Sequence, residues 1–196
     1  MSNKNILCDD PAIYTIDNFL DERTCEHFIS LAKPHLKQAL VSSNSKGLVS
    51  SGRTGKNCWI SHSRDAITKE VGDKIAGLLN VQLNTAEQYQ IIYYGNNEEY
   101  RQHYDSWEHD GSDKSLRCMK YGGQRLYTAL CYLNDVSSGG STRFTKLNIN
   151  VEPKKGRLLV FENVYKNGNK KHLLSEHAGS PVLEGEKWAF NLWFRE

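Results

Sequence analysis

The sequence predicts a mainly β (α+β) fold, a double-stranded β-helix or jelly-roll barrel backed by N-terminal α-helices. Two observations carry this. From residue 87 onward, seven short runs rich in β-branched and aromatic residues (QYQIIYY, EYRQHYD, RLYTALCYL, TRFTKL, GRLLVFEN, KKHLLSEHA and EKWAFNLWF) are separated by turn-forming residues, the pattern of consecutive short strands. Upstream, two segments repeat apolar residues at helical spacing. No helical pattern falls between the strands, which disfavours a parallel α/β sheet, and no fixed-period repeat suggests a propeller or solenoid.

Taken in order, residues 1–12 read as a polar N-terminal tail and 13–196 as a single domain, with helical support over 21–80 and the jelly-roll core over 87–196. Ile13 to Leu20 reads as the first strand. Asp21 suits a helix N-cap, Ala32 lies near that helix's end, and Pro34 breaks it; Phe28, Leu31 and Ala32 share a face. Residues 41–57 are rich in Ser, Gly and Asn, the composition of a long loop or hairpin tip of the kind on which substrates dock. Ile67, Val71, Ile75 and Leu78 predict a second helix from Asp65 to Leu79, which Asn80 would stop.

The 196 residues suit one domain that buries roughly two-thirds of its unfolded surface, enough for a closed, water-poor pocket. A net charge of +2 gives no electrostatic footprint for nucleic acid or an anionic membrane. No apolar run is long enough for a signal peptide or a membrane span, so a cytoplasmic location is expected. The five cysteines are odd in number, scattered and never in a CxxC pair, and so read as free thiols. KKGR at 154–157 reads as a solvated turn.

The chemistry-bearing constellation starts with His103-Tyr104-Asp105 in a predicted strand, where residues two apart share a face. A histidine paired with a neighbouring aspartate is commonplace, so the tripeptide needs a third partner. His177, on a later predicted strand before a Gly179-Ser180-Pro181 turn, is the candidate. Two histidines and one carboxylate leave three octahedral positions open, which suits Fe(II) better than the tetrahedral preference of zinc. His109 and His172 compete on spacing, but their polar and basic surroundings predict that both are solvated. Lys187 lies ten residues after His177 and alternates with Ala189, Asn191 and Trp193 on one face of the last strand. From position alone the simpler reading is an exposed edge lysine; facing inward, it would need an anion, such as a bound dicarboxylate.

These residues sit in a pattern that resembles the catalytic domain of prolyl 4-hydroxylases, a family of Fe(II)- and 2-oxoglutarate-dependent dioxygenases. The stretches QIIYYGNNEEYRQHYD, GGQRLYTALCYLNDVSSGGSTRF, VEPKKGRLLVFEN and HAGSPVLEGEKWAFNLWF carry the resemblance, and SGRTGKNCW looks like the family's arginine-containing substrate loop. The likeness covers nearly the whole chain after residue 12. It implies iron at His103, Asp105 and His177, with Lys187 on the distal carboxylate of 2-oxoglutarate. Tyr94 and Thr128 match positions whose hydroxyls support that carboxylate, and Trp193 matches an aromatic of the cosubstrate pocket. Tyr100 and Arg53 match positions near a peptide substrate, although Arg53 by itself reads as a solvated loop charge. Ser141 in GGST departs from the family's usual acidic residue, while Thr142 and Phe144 keep the pattern.

The implied reaction is hydroxylation of a prolyl residue in a peptide or protein, with O2 consumed, 2-oxoglutarate converted to succinate and CO2, and ascorbate as an auxiliary reductant. Asp105 favours hydroxylation over halogenation, since family members that halogenate have a small residue there. The competing readings are hydroxylation of a free amino acid or another side chain, separable by dependence on substrate length, and a non-catalytic jelly-roll binding module. The intact His103, Asp105, His177 and Lys187 weigh against the module. Nucleic-acid demethylation fits poorly with the near-neutral charge, and neither a nucleic-acid nor a membrane partner is expected.

Overall fold

The computed structural model describes residues 4–42, 47–166 and 168–196. Residues 43–46 of the predicted 41–57 loop lie outside them. The N-terminal strands β1 (Lys4–Asp9) and β2 (Ala12–Ile16) are followed by helix α1 (Glu22–Ala32), short strands β3 (Lys37–Gln38), β4 (Val41–Ser42) and β5 (Gly47–Leu48), then β6 (Lys56–Ile60) and helix α2 (Ala66–Leu79). The barrel proper follows with β7 (Tyr89–Tyr94), β8 (Tyr100–His103), a third helix α3 (Asp113–Met119), β9 (Arg125–Tyr132), β10 (Ser138–Gly139) and β11 (Thr142–Phe144). It ends with β12 (Ile149–Val151), β13 (Leu158–Glu162), β14 (His177–Gly179), β15 (Val182–Glu184) and β16 (Lys187–Arg195).

An eight-stranded antiparallel sheet runs β1-β2-β13-β9-β16-β7-β6-β3 and faces a four-stranded sheet ordered β12-β11-β14-β8. This is the expected jelly roll. The central strands of the large sheet, β13, β9, β16 and β7, are buried on both faces, and their two-residue period deals side chains to two cores. On β16, Trp188, Phe190, Leu192 and Phe194 pack with Phe28 of α1 and Val71 and Ile75 of α2. From the opposite face of the same sheet, Ala189, Leu130, Tyr132 and Ile92 meet Phe144 and Val182. The helices therefore brace the back of the sheet whose front lines the barrel.

Both predicted helices form for the predicted reasons. The Asp21 carboxylate accepts from Thr24 N at 2.8 Å, and Asp65 and Thr68 form a reciprocal capping box. Asn80 takes the left-handed conformation, φ 56°, that ends α2.

Four expectations are corrected. The tail over 1–12 is a strand from Lys4, because β1 pairs along β2 and extends the sheet edge. The first strand stops at Ile16, where the chain turns so that Phe19 and Leu20 donate to the Gly156 carbonyl. A helix does fall between the strands: α3, capped by Ser112, separates β8 from β9 and is a short polar helix whose weak apolar period gave no signal. KKHLLSEHA is a 3-10 turn over Leu173–Ser175 before β14 begins at His177. In addition, Lys154 and Arg157 are paired with Asp17, and Lys155 with Glu22, so KKGR is tied to the N-terminal region as well as solvated.

Candidate active site

His103 ends β8 and His177 begins β14, and the two strands pair antiparallel with these residues opposite each other. Register alone therefore brings the two imidazoles together, with ring centroids 4.3 Å apart. Asp105 lies just past the end of β8, in the bend and not in the strand as the sequence predicts, yet its carboxylate still turns inward. His103 Nε2 is 3.7 Å from Asp105 Oδ1, and His177 Nε2 is 3.8 Å from Oδ2. Among the described residues, these three offer ligand atoms that all lie within 4.8 Å of one another.

The backbone sets the tautomers. His103 Nδ1 is 2.8 Å from the Arg101 carbonyl and His177 Nδ1 is 2.9 Å from the Ser175 carbonyl. A carbonyl only accepts, so both Nδ1 atoms carry the proton and both Nε2 lone pairs face the gap. Burial, followed by the neighbouring His177, pushes His103 down to about 3, which favours its neutral, metal-binding form. For Asp105 burial acts upward, but His177, His103 and Arg125 outweigh it and the carboxyl falls to about 2. Two imidazoles whose Nε2 atoms point into the gap and one carboxylate are a donor set that fits Fe(II).

Around this centre, the Tyr100 ring stacks on His103 at 3.5 Å, and the Arg53 guanidinium lies over Tyr100 at 4.6 Å. Phe161 packs edge-on against His177. All but Phe161 line one cavity of about 590 Å³, which also reaches Trp59, Tyr94, Thr142, Lys187 and Trp193.

Lys187 sits at the closed end of that cavity, 2% exposed. Its ammonium donates to the Gly140 carbonyl at 2.6 Å and lies 5.3 Å from the Tyr132 ring centre. Burial pulls it down to about 8. Gly140 and Gly139 both have positive φ, and a Cβ on Gly139 would collide with the Pro181 carbonyl, so the turn that presents the Gly140 oxygen needs glycine. Tyr94 pairs with Lys187 across β7 and β16, and burial raises its phenol. Thr142, next to the same glycines, accepts from Tyr132 Oη at 2.7 Å.

Three sequence expectations differ from what the structure holds. Arg53 is 7% exposed, not solvated: it bonds the Leu40 carbonyl and Gln90 Oε1, drawn inward by Tyr100 and the groove wall. His172 is 2% exposed, with Nδ1 accepting from Leu174 N and its ring against Tyr165; the basic run before it hid its packing. His109 is exposed as expected. Thr128 faces Asp105, donating to Oδ2 at 2.8 Å, and Trp193 Nε1 donates to the same oxygen at 2.9 Å. Thr128 pairs with Trp193 on β16, six residues or about 20 Å along the strand from Lys187. Thr142 lines the same cavity as the lysine and is linked to it through Tyr132, which donates to Thr142 and turns its ring toward Lys187; its sequence signal was its place in GGST.

Comparisons with known proteins agree with this geometry. A family model described as the 2OG-Fe(II) oxygenase superfamily matches residues 89–195. A protein of Acanthamoeba polyphaga mimivirus, provisionally named a prolyl 4-hydroxylase, is 37% identical over 193 residues, covering 96% of this chain and 76% of its own length. Prolyl 4-hydroxylase subunit alpha-1 of Mus musculus is 32% identical over 96% of this chain, which spans only 35% of that longer protein. The solved viral collagen prolyl hydroxylase vCPH from Paramecium Bursaria Chlorella virus-1, in its 2OG complex, superposes with a TM-score of 0.76 at 26% identity, covering 96% of this chain and 98% of that one. A barrel of this topology, a pair of opposed histidines beside a carboxylate and a matching family model together mean that the chain belongs to the prolyl 4-hydroxylase family of the 2OG-Fe(II) oxygenase superfamily.

Proposed function

We propose that this chain hydroxylates prolyl residues in a peptide or protein, binding Fe(II) through His103, Asp105 and His177 and 2-oxoglutarate through Lys187. The observation that carries the reading is the pairing, in one cavity, of converging Nε2 lone pairs with a buried ammonium that has no carboxylate partner among the described residues. Bound Fe(II), with O2 and 2-oxoglutarate, supplies the oxidising equivalent: one oxygen atom enters a substrate C–H bond as hydroxyl, the other enters succinate, and CO2 leaves.

The protein's own part is placement. Lys187 takes the distal carboxylate at its buried end, beside the Gly140 carbonyl and the Tyr132 ring, while Thr142 and Tyr94 line the same cavity. Tyr100 and Arg53 form the wall beside His103 against which a proline ring packs, and Trp59 and the 106–123 segment border the mouth. An aromatic wall suits a proline-containing chain in extended form. Residues 13–196 act as one domain with β1 added to its edge. Ascorbate as auxiliary reductant and a cytoplasmic site of action belong to the same proposal. No helix among the described residues is long and apolar enough to cross a membrane.

The test is mass spectrometry of proline-rich peptides incubated with the protein, Fe(II), 2-oxoglutarate and O2. The expected result is a gain of one oxygen on proline matched by succinate formation, lost in Asp105→Ala. Turnover confined to free amino acids would overturn the peptide assignment.

A further inference from the structure

Asp105 is held unsymmetrically. Oδ2 accepts from Thr128 Oγ1 at 2.8 Å and from Trp193 Nε1 at 2.9 Å, whereas Oδ1 receives no donor from the described residues. A carboxylate oxygen has about two in-plane acceptor sites, so both of those on Oδ2 are filled. We propose that Thr128 and Trp193 are positioning residues that restrict Asp105 to one-oxygen coordination through Oδ1, keeping a third coordination position of the metal open for the cosubstrate and O2. This rests on the reading of His103, Asp105 and His177 as metal ligands.

The surroundings fix both donors. Asn163 Nδ2 donates to Thr128 Oγ1 at 2.8 Å, and the hydroxyl has only one proton, which goes to the charged acceptor, Asp105. Asn163 is fully buried and its backbone is bonded to Leu126 and His172. The indole of Trp193 carries the Arg125 guanidinium 3.6 Å from its ring centre, and Glu87 grips Arg125 with two bonds of 2.6 and 2.8 Å. Trp59 covers the ring from 6.0 Å. Neither donor can swing away without breaking a buried contact, so Oδ2 stays occupied.

The consequence is a count of positions. Two imidazoles and a one-oxygen carboxylate leave three of six octahedral places free, enough for a two-point 2-oxoglutarate chelate and one O2. A carboxylate free to rotate and bind through both oxygens would take the third. Thr128 and Trp193 thus act on the chemistry through Asp105, while Lys187 holds the far end of the cosubstrate.

The experiment compares wild type, Thr128→Val, Trp193→Phe, the double variant and the conservative Thr128→Ser under anaerobic conditions. Co(II) uptake and its visible spectrum report the metal and its coordination number, and titration with 2-oxoglutarate reports the chelate. The double variant is expected to bind Co(II) within about threefold of wild type while its 2-oxoglutarate affinity falls roughly tenfold or more, with an altered Co(II) spectrum before cosubstrate is added. Each single variant should move the same readouts in the same direction by less, so the test stands even if the double variant does not fold, and Thr128→Ser should restore wild-type behaviour. Unchanged spectrum and affinity in Trp193→Phe and Thr128→Val would overturn the proposal, as would parallel loss of metal and cosubstrate binding. If wild type itself took up no Co(II), the ligand assignment would fail first, independently of this inference.

Discussion

At the scale of single residues, the most consequential group is Lys187, a buried ammonium that meets only a carbonyl and a ring face among the described residues. Truncating one member of a buried charged pair costs about 2–5 kcal/mol, so Lys187→Ala should weaken 2-oxoglutarate binding by roughly 30-fold or more and leave Co(II) uptake near wild type. Unchanged cosubstrate affinity in isothermal titration would contradict this. The pH dependence has two opposite signs. Because burial lowers the folded-state value to about 8 from 10.5, the unfolded chain holds the extra proton between these limits. The Lys187 contribution to the stability of the ligand-free protein should therefore grow by up to about 3 kcal/mol as pH rises from about 8 to 10.5, read as the difference between wild-type and Lys187→Ala denaturant midpoints, because the buried Cys25 and Cys58 thiols, pushed up to about 11, act with the opposite sign in both proteins. Over the same rise, anion binding must recharge the amine, so 2-oxoglutarate affinity should fall in the wild type and stay level in Lys187→Ala.

At the scale of elements, the site depends on turns more than on the strands they join. The Gly139-Gly140 turn holds the carbonyl that receives Lys187, and side chains are excluded there both by positive φ and by the Pro181 backbone. Gly139→Ala should thus reduce 2-oxoglutarate affinity, measured directly, while the Co(II) spectrum of the triad stays unchanged. The helices make a different kind of contribution. Phe28 of α1 is fully buried against Tyr89 and Phe190, with ring centres 5.0 and 4.9 Å away. Phe28→Ala should cost about 3–5 kcal/mol in chemical denaturation, because it opens a cavity behind the sheet. Metal and cosubstrate affinities should survive in the fraction that folds, since the front of the sheet is untouched. An equal loss of both would mean that back and front of the sheet are coupled.

At the scale of the whole molecule, two sheets bring together ligands that no short segment contains. β8 and β14 place one histidine each, β9 and β16 supply the donors to Asp105, and β16 also carries the lysine. A metal bound by these elements binds only the folded chain, so saturating it at 100 times Kd should stabilise by about 2.7 kcal/mol. Thermal midpoints should rise with Co(II), return to the starting value with a chelator, and show no such shift in Asp105→Ala. A midpoint indifferent to metal in the wild type would place the ion elsewhere.

The sequence by itself determined most of the barrel strands, the first two helices with their caps, and the His103 and Asp105 candidates, because alternation, capping and short motifs act over a few neighbouring residues; Lys187 entered through the family resemblance. It also placed Ala189, Asn191 and Trp193 with Lys187 on one face, since a strand's two-residue period is local. Only the tertiary structure decided that His177 stands opposite His103, that Thr128 serves Asp105 while Thr142 lines the lysine's cavity, and that Arg53 and His172 are buried. Those facts depend on strand register and on packing between distant segments, and a side chain's polarity does not say which distant surface will cover it.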